Sequence, residues 1–195
     1  MNKPSNTADD ILAAARRFIV AGGYNGFSYA DIAEVIGIRK ASIHHHFPSK
    51  VDLVQTLVRR YLEDAVTGMA ELERSVPEPP ELLRTYAGFW ARCIEDASRP
   101  FCVCAMLASE LPALPPEVAV EVRAYFQFLS GWLTGVIERG ARQSTLTISA
   151  APRVEAEAFM ATVHGAMLSA RAYGDTAAFA TIMTPTLQKL IPEAV

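Results

Sequence analysis

The chain has 195 residues, of which 51% are hydrophobic and 20% charged, a balance that excludes a disordered polymer. Three cysteines are too few for a disulfide framework. No apolar run approaches the roughly 18 residues of a membrane span, and the polar start from Met1 to Asp10 does not read as a signal peptide. These features predict a soluble, cytoplasmic protein with no membrane partner. The net charge of −3 hides an asymmetry, because residues 1–60 carry eight Lys/Arg against five acids and the remainder ten against sixteen.

In chain order, Ile11, Leu12, Ala15, Phe18 and Ile19 recur on one face of a helix, with Thr7 as cap and Gly22-Gly23 as stop. Tyr24-Asn25-Gly26 reads as a turn rather than a phosphate loop, since no strand precedes it. Ser28 with Asp31 three residues on is a second helix start, Phe27 is placed to staple onto Ile32, and Gly37 ends that helix after Ile36. A third helix from about Arg39 to His46 ends before Pro48. Ser49 with Asp52 starts a long fourth helix reaching about Arg74. After Pro77-Glu78-Pro79-Pro80, helical patterns cover 81–97, 102–111, 116–142, 153–173 and 176–191, the last interrupted by Pro185. No segment alternates with period two, so the fold class is all-α with about nine helices.

Residues 28–47 follow the helix-turn-helix plan. Gly37 supplies the turn, and Ala33 is small where two helices must approach. Ile32, Ile36, Ile38 and Ile43 provide the packing face. Arg39, Lys40, Ser42, His44 and His45 are left as donors suited to phosphates and base edges. His44, His45 and His46 point about 100° apart along a helix and do not converge on one ion, so no metal site is predicted. His46, beside Phe47, reads as a packed or backbone-bonded side chain.

The string from Phe27 to Ile38, followed by Ala41-Ser42-Ile43-His44-His45-His46-Phe47-Pro48-Ser49-Lys50, resembles the DNA-binding domain of the TetR (tetracycline repressor) family, and the likeness covers residues 11–62. The resemblance implies a DNA-binding domain over 1–48 and a ligand-binding and dimerisation domain over 49–195. It implies a homodimeric repressor of palindromic operator DNA, released by a small-molecule effector. Ser28, Tyr29, Arg39, Lys40, Ala41, Ser42, His44, His45 and Lys50 are the DNA-contacting positions it suggests, with Lys50 on a backbone phosphate. Where the family usually has a Tyr that touches DNA, this chain has His44.

The motifs G-x-S-x-G, H-E-x-x-H, the P-loop and G-x-G-x-x-G are all missing, so neither an enzyme nor a cofactor is expected. Of the large apolar groups in 82–132, Phe89, Trp90, Phe126 and Trp132 are the expected effector-lining residues, for an uncharged aromatic or hydrophobic molecule. Cys102 and Cys104 offer a second sensor, a thiol or electrophile switch. Arg99 and Pro100 favour reactivity there, and the apolar neighbours oppose it. A third reading, of another class, is an all-α small-molecule-binding protein or enzyme without DNA binding. Phe159, Val163, Ala166, Met167 and Ala170, then Phe179, Ile182 and Met183, repeat at three and four and are the expected dimer interface.

Overall fold

The structure, a computed structural model, describes residues 7–96 and 101–192. Arg99 and Pro100 lie outside the described residues, as does the expected end of a helix at 97. Among the described residues there are nine α-helices and no strand: α1 (Thr7–Gly22), α2 (Tyr29–Ile36), α3 (Lys40–His46), α4 (Lys50–Ser75), α5 (Pro79–Glu95), α6 (Val103–Ser109), α7 (Pro116–Arg142), α8 (Pro152–Tyr173) and α9 (Ala177–Leu190). No described helix is long and apolar enough to cross a membrane.

The helix boundaries follow local chemistry. At α2 the Ser28 hydroxyl accepts from the Ala30 amide at 3.2 Å, and Asp31 accepts from the Ser28 amide at 2.6 Å, completing the capping box. Gly37 takes φ 71°, the left-handed conformation that favours glycine, and the Gly37 and Ile38 amides both return to the Ala33 carbonyl. Ser49 and Asp52 cap α4 in the same reciprocal way. Gly174 at φ 63° closes α8, and the Asp175 carboxylate accepts from the Ala177 amide at 2.9 Å to start α9. The expected interruption at Pro185 does not occur, and α9 runs through it. The ring removes one backbone donor, and burial of Phe179, Met183 and Leu190 on both sides of it holds the helix together. Phe27, expected to staple onto Ile32, is buried, and its ring stacks on Phe18, 5.7 Å away.

The described chain clusters into two compact units, and these do not divide at residue 48. The first comprises the described residues up to 65 and 101–125. It contains α1–α3, α6 and parts of α4 and α7, because α6 packs directly on α1. Its core includes Ile11, Ala15, Ile19, Ile32, Ile43, Leu53 and Leu107. The second comprises 66–96 and 126–192. There α8 and α9 pack closely against one another and both meet α5.

Candidate nucleic-acid interface and sensor body

α1 supports the helix-turn-helix from within the first unit. Ile32 and Ile43 are fully buried and fix α2 and α3, and Ile43 is the buried side chain of α3. Anchored there, α3 exposes Lys40, Ala41, His44 and His45, with Arg39 exposed at its N-cap and Ser42 half-buried. Arg39 and Lys40 have no carboxylate partner among the described residues. Arg59, by contrast, pairs with Glu121 at 3.0 Å, and Arg60 with Asp9 at 2.8 Å. Two cations without a carboxylate therefore stand side by side at the start of α3, where a recognition helix presents side chains to base edges.

Three expected contacts are placed differently. Tyr29 is buried, not offered to solvent. Its hydroxyl donates to the Phe47 carbonyl at 2.9 Å, tying the start of α2 to the end of α3, and burial pushes its pKa up to about 12. Lys50 turns inward. Its ammonium donates to the Phe27 carbonyl and lies 4.1 Å over the Phe27 ring and 4.9 Å over the Tyr24 ring. Burial lowers its pKa, while Asp31 and Glu110 oppose the shift. Desolvation and cation–π contact thus engage the charge that was expected on a phosphate. His44, rather than His46, is the backbone-bonded histidine. Its Nδ1 sits 3.2 Å from the Pro48 carbonyl, so that nitrogen carries the proton, and its ring lies 4.8 Å from Tyr29. His46 is exposed.

A contact not anticipated from the sequence holds the α1–α2 turn. The Glu110 carboxylate, at the end of α6, accepts from the Tyr24 amide at 3.0 and 3.3 Å. It fits because Gly23 has no Cβ: one built there would meet Glu110 Oε1 at 1.7 Å, and Gly23 itself sits at φ 75°. The local sign was Gly22-Gly23, but its partner is 86 residues away in sequence.

Cys102 and Cys104, the alternative sensor read from the sequence, belong to the same unit. Cys102 and Cys104 are fully buried, and burial raises both thiols, Cys104 well above its ordinary value. Cys102 Sγ lies 3.8 Å from the Tyr125 hydroxyl. Raised thiols expose little thiolate at neutral pH. No group of three His, Cys, Asp or Glu among the described residues is arranged to hold a metal ion.

In the second unit, Tyr86 lies at the centre of an aromatic cluster, with ring centroids 6.5 Å from Trp90, 5.6 Å from Trp132 and 6.4 Å from Phe159. Phe159, expected at the dimer interface, belongs to this cluster instead. The Phe126 ring lies 5.2 Å from that of His164, whose pKa burial lowers. Phe89 is 45% exposed and meets Trp90 edge-on at 5.0 Å, so it is a surface residue and not an interior lining. The indole Nε1 atoms of Trp90 and Trp132 are buried without a hydrogen-bond acceptor. An unsatisfied buried donor costs about 1–3 kcal/mol.

The other expected interface residues are also internal. Val163, Ala166, Met167, Ala170, Phe179 and Met183 are buried within one chain, and Ile182 is half-buried, leaving a second subunit almost nothing to cover. The opposite side of α8 is open and apolar: Val154 is 57% and Leu168 47% exposed, with Ala158, Ala161 and Gly165 exposed between them at helical spacing. The apolar repeat read from the sequence is the α8–α9 packing face, the stronger of two stripes on one helix.

An all-helical chain whose N-terminal unit carries a capped, glycine-turned helix-turn-helix is a DNA-binding regulator by class, and comparison with known proteins narrows it further. Residues 11–57 match the family described as bacterial regulatory proteins, tetR family, and residues 79–185 match the tetracyclin repressor-like C-terminal domain. The chain belongs to the TetR family of transcriptional regulators. A TetR-family regulator from Agrobacterium tumefaciens of known crystal structure is 58% identical, with a TM-score of 0.93 over 97% of this chain and 100% of that one. A TetR regulator from Legionella pneumophila is 28% identical, with a TM-score of 0.87 over the same shares. Among curated proteins, the transcriptional repressor AcnR of Corynebacterium glutamicum is 34% identical over 88 residues, 41% of this chain and 45% of that protein. The chain spans about half the length of the curated relatives it matches.

Proposed function

We propose that the protein is a ligand-responsive repressor that binds palindromic operator DNA as a homodimer and releases it when a small, uncharged effector binds the second unit. The observation that carries this reading is the face of α3. A helix anchored by Ile43 holds Arg39, Lys40, Ala41, His44 and His45 to solvent, without a carboxylate to neutralise the two cations. Ser42 flanks that face as a neutral donor, while the exposed Ser28 hydroxyl gives its proton to Asp31 at 2.8 Å. The AcnR match supports the repressor sense. For the dimer, the exposed α8 stripe of Val154, Ala158, Ala161, Gly165 and Leu168 offers small residues that let a second helix approach closely. Two half-sites one helical turn apart, about 34–36 Å, fit such a two-fold assembly.

Footprinting on the DNA upstream of the protein's own gene tests the reading. A palindromic footprint is expected, with base preference altered by Arg39→Ala or Lys40→Ala and repression of transcription in a purified system. Absence of a palindrome, or a double variant that binds like the parent, overturns it. Activation in the purified system overturns the repressor sense alone.

A further inference from the structure

We infer that Trp90 and Trp132 are the polar anchor of the effector site, and that the effector is an uncharged, mainly apolar molecule carrying a hydrogen-bond acceptor oxygen such as a carbonyl. The inference rests on the ligand-responsive reading above and names the chemistry of its ligand. An indole N–H can only donate, and buried donors in folded proteins are almost always paired. Trp90 is 4% exposed, yet neither its Nε1 nor that of Trp132 has an acceptor. The two reach the same Tyr86 ring from different helices, α5 and α7. Two unpaired donors around one aromatic cluster are matched by a ligand oxygen with two lone pairs, set on a body that stacks with the rings.

The charges around the cluster favour a neutral ligand over a carboxylate. Among the described residues the buried polar or charged side chains are Ser130 and Glu155. The Ser130 hydroxyl donates to Glu157, and Glu155 is already satisfied by the amides of Ser149 and Ala150 and the Ser149 hydroxyl. Arg139 lies two turns beyond Trp132 on α7, and its guanidinium faces Glu73 at 3.7 Å. Burial keeps His164 toward its neutral form. Arg139 Nε is itself buried without a partner, but it stands two turns from Trp132, so an anion set against the two indoles would meet uncharged donors there.

Trp90 and Trp132 are the only tryptophans in the chain, so emission excited selectively at tryptophan reports from this cluster alone. The test titrates full-length protein with acetophenone and with cumene, which has the same shape without the oxygen. Acetophenone should change the emission saturably. Trp90→Phe and Trp132→Phe, each retaining one indole as reporter, should each weaken acetophenone by roughly two- to tenfold, the worth of one net hydrogen bond. Cumene affinity should change by less than about twofold, because the aromatic body is kept. The two variants are independent, so one that fails to fold leaves the other decisive. No saturable response to acetophenone, or an equal change for both probes, overturns the inference. Operator binding measured on the same preparations separates the two readings. Loss of acetophenone discrimination with intact operator binding sinks this inference only. Intact discrimination in a protein that never binds operator sinks the DNA-binding reading and leaves the anchor standing.

Discussion

α2 and α3 are eight and seven residues long, whereas α8 and α9 run for 22 and 14. Helices as short as the first pair are marginal alone, since nucleation costs more than a few hydrogen bonds return. They are held by end chemistry: the Ser28–Asp31 box, the left-handed Gly37, the Tyr29 hydroxyl on the Phe47 carbonyl, and one fully buried anchor each, Ile32 and Ile43. The α8–α9 hairpin depends on side-chain burial along its length, from Phe159 to Ala170 and from Phe179 to Leu190, and this tolerates even a proline inside α9. The difference teaches where each region is vulnerable. The reading head is sensitive at its ends and turns, and the hairpin is sensitive along one face only.

The sharpest way to break this comparison uses neighbours on opposite faces of α8. Met167→Glu places an unpaired charge at a fully buried position and should cost about 3–5 kcal/mol, seen as a large drop in thermal midpoint. Leu168→Glu, one residue on and 47% exposed, should leave the midpoint of the isolated chain nearly unchanged while converting the proposed dimer to monomer in sedimentation. Equal destabilisation by both would remove the distinction between the two stripes.

Gly23→Ala tests the turn that Glu110 grips. A positive φ and the displaced carboxylate should together cost about 1–3 kcal/mol. Glu110→Ala alone should cost less, and the pair should sum to less than the two separately, because the Cβ clash disappears with the carboxylate. Strict additivity in denaturant melts would show that the contact is not shared.

Ser28→Ala should lower stability by about 0.5–2 kcal/mol through loss of the α2 cap, with Ser28→Gly milder. A variant as stable as the parent would show that burial of Ile32 alone holds α2.

The smallest expected effect is a pH dependence of the second unit. Amides of Ser149 and Ala150 hold the Glu155 carboxyl below its ordinary value of 4.5. A depressed carboxyl contributes stability above its unfolded pKa, and that stability is lost as pH falls through the lower folded value. Acid titration should therefore weaken the parent below about pH 4.5 more steeply than Glu155→Gln. Parallel curves would contradict the loop-capping role of this carboxylate.

Much of the head was legible because its signals are local. Ser28 with Asp31, Ser49 with Asp52, and Gly37 after Ile36 each act within five residues, so spacing alone locates the helix ends. The donors on α3 could be read the same way, since an apolar Ile43 amid polar neighbours defines the outward face. Lys50 and Tyr29 were not legible in this way. Whether a lysine reaches outward or onto the Phe27 carbonyl depends on which rings the fold brings beneath it, and nothing within a few residues records that. The Glu110 contact with the Tyr24 amide spans most of the first unit and has no local sign except a glycine.

In the body the sequence determined helix number, length and apolar periodicity, because these depend on 3.6-residue spacing and on the prolines and glycines between segments. It did not determine which of two stripes on α8 faces α9. Both repeat at three and four, and only the packed hairpin shows that Met167 is consumed internally while Leu168 is left outside. Nor could it reveal that two tryptophans 42 positions apart in the chain would share one tyrosine ring with neither N–H satisfied. Hydrogen-bond partners of buried side chains come from whatever segments the fold brings together, and that is a property of the tertiary structure alone.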